Sequence, residues 1–225
     1  MKLVKTKSLA ETLDAVNETF FTGQRLTPEE RFEVARFIIS RHGLYGSYAN
    51  MFAPTQKDFD EGIKVFTGEK VKTGAATSHV LGEESSRALH ILNIRDKEVQ
   101  KALDEAVQGI QSRFDEQTIQ YGFYCCGFCT SSLWRHAVVG TFQKKERLLE
   151  QGVKTLKMLR RGDGQWRRFP FYYTLLAISE VDHTLALAEM KYAAPVLERM
   201  LKRKATADKY SIRRHTLAER VLEQI

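Results

Sequence analysis

No run in this 225-residue chain approaches the roughly 18 consecutive apolar residues needed to cross a membrane. No stretch alternates apolar and polar residues with a period of two, so the usual signal of a half-buried strand is missing. Proline occurs only four times, which leaves long stretches without the residue that interrupts helices. Cysteine occurs three times, always between Tyr121 and His136. An odd, clustered set is no disulfide framework and fits a reducing compartment. The start, M-K-L-V-K-T-K-S-L, is basic, but Glu11 and Asp14 follow where a secretory leader has an apolar core. The reading is a soluble, cytoplasmic protein. Phosphate loops, dinucleotide fingerprints, nucleophile elbows and H-E-x-x-H are absent, and no cofactor is expected.

Hydrophobic residues make up 43% of the chain and charged residues 28%, enough for a core in one domain spanning 1–225. The net charge is +7, and much of it lies between Arg199 and Arg220, where eight basic residues face two acids. Such a stretch is either a solvated outer helix face or a surface for an acidic partner. A protein partner or self-association stays open; nucleic acid is not the favoured partner.

The pattern is helical throughout. Leu9, Leu13, Val16 and Phe20 share one face of a helix over about 8–21. Thr27-Pro28-Glu29-Glu30 is a helix start, with a hydroxyl cap, proline in the first turn and glutamate three residues after the cap. Further helices are expected at about 55–67, 77–92, 95–114, 129–139, 142–159, 171–178, from 183 onward and 208–225. Pro195 is expected to kink or break the helix it meets. The count is about ten and the fold class is all-α.

Three loops share a pattern. Gly46-Ser47-Tyr48 precedes Met51-Phe52, Gly122-Phe123-Tyr124 precedes Phe128, and Gly164-Gln165-Trp166 precedes Phe169-Pro170-Phe171-Tyr172-Tyr173. Each follows a polar amphipathic helix and opens a more apolar segment. The spacing is compatible with the roughly 30–50-residue period of stacked helical hairpins. The third copy, R-G-D-G-Q-W-R-R-F-P-F-Y-Y-T-L-L-A-I-S-E-V, resembles the repeats of the α/α-toroid proteins, the terpenoid cyclase and protein prenyltransferase family. There a D-G-G-W-like turn precedes an inner helix with an F-Y-x-T-like stretch. The resemblance covers 156–181 well and extends to 32–52 and 120–138. It implies antiparallel helical hairpins in a partial or open toroid-like superhelix, and a hydrophobic, isoprenoid-like ligand. Where the prenyltransferases place zinc ligands, this chain has Tyr173, Phe128 and Thr130, so that metal site does not carry over. The D-x-D-D of the cyclases is absent too.

Two constellations carry possible chemistry. The aromatic residues at the repeat loops, Tyr45, Tyr48, Phe52, Tyr124, Trp134, Trp166, Phe171, Tyr172 and Tyr173, are candidates, with Cys126, Cys129 and His136, to line an apolar ligand cavity; the aromatics otherwise pack hairpin on hairpin. Cys126 and Cys129 form C-x-x-C, with Cys125 adjacent and His136 two helical turns on. That spacing suits a redox-active thiol pair or part of a metal site made of Cys126, Cys129 and His136. It equally suits small buried residues. His79, Glu83 and His90 share a helix, and Glu180-x-Asp182-His183 resembles a helix cap.

Overall fold

The computed structural model describes residues 3–181 and 184–225. Asp182 and His183 of the Glu180-x-Asp182-His183 group lie outside the described residues. Those described are all-α: eleven helices, with only isolated β-bridges at turns. They cluster into two compact units.

The first unit comprises 1–66, 70–114 and 139–143. It contains α1 (Leu9–Phe21), α2 (Pro28–Ile39), α3 (Gln56–Asp60), α4 (Gly74–Leu92) and α5 (Lys97–Gln111). Local chemistry sets the helix starts. Thr27 and Glu30 form the reciprocal capping box expected from the sequence. The buried Asp58 carboxylate accepts bonds from the Ser8 hydroxyl (2.6 Å), the Leu9 amide (3.0 Å) and the Thr55 amide (2.8 Å). One carboxylate thereby caps α1 and α3 together, where each helix concentrates positive charge. α5 places Val99, Leu103, Ala106, Val107 and Ile110 inward. α4 packs against α1, α2, α3 and α5, so it has hardly any solvent face.

The second unit comprises 67–69, 115–138 and 144–225. Its helices are α6 (Glu116–Tyr121), α7 (Gly127–Val139), α8 (Lys145–Met158), α9 (Phe171–Ser179), α10 (Thr184–Leu201) and α11 (Lys209–Glu223). α10 touches α8, α9 and α11, and α6 lies on α8. Pro170 gives α9 no side-chain cap. Glu69 supplies one instead, its Oε1 accepting from the amides of Tyr172 and Tyr173 at 2.9 and 3.0 Å.

Three expectations need correction. α6 is an extra helix; six residues are too few to show a 3.6-residue period. The helix expected over about 55–67 is only α3, which ends at Asp60, so buried Ile63 and Phe66 lie beyond it in non-helical chain. Finally, Pro195 does not break α10, which runs through it. The ring removes a single backbone bond, and Pro195 lies on the exposed side, where water can take the released carbonyl.

Candidate functional site

The thiol loop joins α6 to α7. Gly122 closes α6 in the left-handed region, with φ 57°. A Cβ there would sit 2.1 Å from the Gly152 amide nitrogen of α8, so only glycine lets the chain pass. The Trp134 indole donates to the Gly122 carbonyl at 2.8 Å, and the Thr155 hydroxyl donates to the Tyr121 carbonyl at 2.6 Å. Thr130 fixes the next residue: its hydroxyl accepts from the Tyr124 amide and donates to the Tyr124 carbonyl, at 3.0 and 2.9 Å. Cys125 then takes φ 59°, a conformation costing a non-glycine residue roughly 1–2 kcal/mol. This turn delivers the chain into α7.

The Thr130 amide donates to the Cys126 carbonyl at 2.8 Å. This first turn of α7 puts Cys126 at the capping position and Cys129 three residues inside. Gly127 between them lies so close to Arg168 that a Cβ would be 2.2 Å from its carbonyl oxygen. The sulfurs of Cys126 and Cys129 are 3.5 Å apart. With Cys125, all three sulfurs lie within 4.8 Å of one another. Exposure falls along the series: Cys125 is exposed, Cys126 half-buried and Cys129 buried.

The electrostatics separate the thiols. The Cys129 thiol donates to the Cys126 sulfur, and the Cys129 and Phe128 amides also point at it. Together they outweigh burial and bring the Cys126 thiol from 9.0 down to about 5. The Cys129 thiol is pushed up, first by donating to Cys126, then by burial and the charge on Cys126. One sulfur is thus a thiolate at neutral pH, and its neighbour keeps its proton.

His136 is not part of this group. Seven residues along a helix is about 10 Å of rise, too far from Cys129 to share a ligand shell. Three thiols fall short of the four ligands of a structural zinc site. No fourth Cys, His, Asp or Glu joins them among the described residues.

The aromatic candidates divide between the units. In the first, Tyr45 is fully exposed, Phe52 is buried, and Tyr48 stacks on His79 with centroids 4.5 Å apart. In the second, Tyr124 is half-buried and holds the loop turn. Trp134 stacks on Phe169 at 5.6 Å, and Trp166 stacks on Phe171 at 5.7 Å while donating to Glu189 at 2.9 Å. The Tyr172 ring lies under Arg214, and buried Tyr173 packs beside Phe128 and Arg135. The second unit has one pocket of about 240 Å³, bordered by Tyr121, Phe123, Met158, Leu159 and Arg168. Another, of about 400 Å³, is bordered by Glu180, Leu187, Met190 and Gln224. None of the aromatic candidates lines these two pockets.

Sequence reasoning missed the polar interior of α4. His79 and Glu83 are buried with Nε2 and Oε1 3.1 Å apart. Asn17 of α1 donates to Glu84 at 3.1 Å and accepts from Arg87 at 3.0 Å. The available signal was T-S-H-V-L-G-E-E-S-S-R, which carries charge where a helix packed on four neighbours has no outer face.

No protein-family model, no curated protein and no solved structure matches the chain.

Proposed function

We propose that this protein performs thiol–disulfide exchange, with Cys126 as the attacking thiolate and Cys129 as the resolving thiol. The 3.5 Å contact between the two sulfurs at the start of α7 carries this reading. A thiolate at the capping position is stabilised by helix amides and stays nucleophilic. The thiolate attacks one sulfur of a substrate disulfide, a mixed disulfide forms, and the substrate's other thiolate leaves. Cys129 then gives its proton to that leaving thiolate and attacks the Cys126 sulfur. The second substrate thiolate departs, and a Cys126–Cys129 disulfide remains. Two electrons have passed from the dithiol to the substrate; a reducing thiol of the surroundings returns the pair to its starting state.

The raised Cys129 thiol suits this order. Its causes in order are donation to Cys126, burial and the Cys126 charge. The first and third disappear when Cys126 becomes neutral in the mixed disulfide, while burial stays, so Cys129 loses its proton more readily after the first step than before it. An apolar-ligand reading, as the toroid resemblance implies, has less support: Phe52, Trp134, Trp166 and Tyr173 have almost all of their surface covered by protein.

The test is trapping. Cys129→Ser is expected to accumulate a mixed disulfide on Cys126 when given a small disulfide, as read by peptide mass spectrometry. Cys126→Ser is expected to form none at position 129. Equal labelling of Cys125 and Cys126 in Cys129→Ser, or an adduct on Cys129 in Cys126→Ser, would refute the assignment.

A further inference from the structure

The pocket of about 240 Å³ in the second unit adjoins the thiol loop. Phe123 belongs to its wall and lies two residues before Cys125. Arg168 forms another part of the wall, and its carbonyl lies against Gly127, the residue after Cys126. Exposed apolar surface gathers here. Tyr121 is 44% and Met158 64% exposed, and Ile212 is the only other large exposed apolar residue described in this unit. Apolar surface left open to water beside a pocket suits contact with a partner.

Size and charge specify the occupant. The volume is below the roughly 300–1,000 Å³ of pockets that enclose a whole small molecule, so it holds a single side chain. Met158 is unbranched and polarizable, and adapts to aliphatic and aromatic shapes alike. Arg168 is exposed and makes no hydrogen bond or ion pair among the described residues. Its guanidinium is available to a carboxylate.

We infer that this pocket receives an apolar side chain next to the disulfide of a polypeptide substrate, while Arg168 pairs with an acidic residue of the same polypeptide. This rests on the thiol-exchange reading and names its substrate class.

The experiment uses the full chain carrying Cys129→Ser, which stops at the mixed disulfide. Two peptide disulfides are compared, identical except for Phe or Ser beside the cysteine, each with one glutamate. The rate of adduct formation on Cys126 is followed by mass spectrometry. The Phe peptide is expected to react about tenfold faster, the lower end of what a hydrophobic pocket discriminates. Adding Met158→Ser is expected to bring the ratio to about one; Met158 is largely exposed, so this change spares the core. Equal rates in Cys129→Ser itself, or a preference that survives Met158→Ser, overturns the inference. Hydroxyethyl disulfide separates the two levels. If Cys126 reacts with it but does not discriminate between the peptides, only the pocket falls. If Cys126 does not react with it, the thiol-exchange reading falls and takes the pocket with it.

Discussion

Three neighbouring thiols at the start of α7 behave differently because their positions differ by no more than one helical turn. Cys126 stands where the first amides of α7 converge, and Cys129 is one turn inside, buried and donating. Alkylation of Cys126 is therefore expected to rise with a midpoint near pH 5, followed as peptide-resolved labelling, while Cys129 stays unlabelled at neutral pH. The same shift couples to stability. The folded Cys126 thiol titrates near 5 and the unfolded one near 8.5–9. The folded state therefore binds fewer protons between those values. Its contribution is full above about pH 9 and lost as pH falls through 5. Denaturant melts of the reduced protein should show the wild type gaining on Cys126→Ser from pH 5 to 9. Gly122 is the other residue on which the loop depends. Gly122→Ala adds left-handed strain and a clash with the Gly152 amide, so a loss of about 2–4 kcal/mol is expected in thermal melts.

At the level of elements, legibility followed the length and amphipathicity of each helix. The cap Thr27-Pro28-Glu29-Glu30 formed with both of its reciprocal bonds. Gly46, Gly122 and Gly164, the first residues of the three repeated loops, all have positive φ. That agrees with a shared turn, although only the second and third open directly onto helices. The C-x-x-C spacing was legible at the start of α7. The return of the Cys125 sulfur was not, because it depends on a backbone angle that residue type does not dictate. α4 was legible as a helix but not as a buried one, since its polar residues suggest an outer face. Its Asn17–Glu84–Arg87 contacts give that burial a test. Asn17→Ala leaves two charged partners short of a bond and is expected to cost about 1–3 kcal/mol in denaturant unfolding. A change below a few tenths would show that these groups are satisfied without Asn17.

For the whole molecule, the described residues are all-α, and no helix among them is long and apolar enough to cross a membrane. The formal charge of +7 is spread over a chain whose eight-to-two basic stretch runs from Arg199 to Arg220. Part of that stretch serves the fold: Arg214 donates to the Thr67 carbonyl at 2.7 Å and covers the Tyr172 ring, and Arg213 is buried. Cycling between a dithiol and one internal disulfide is tested most directly by mixing the reduced 225-residue chain with hydroxyethyl disulfide, quenching in acid, and reading intact mass and peptide linkage. The expected result is loss of two hydrogens, a Cys126–Cys129 bond and a free Cys125. An unchanged mass, or a stable adduct on Cys125 with Cys126 and Cys129 still reduced, would contradict it.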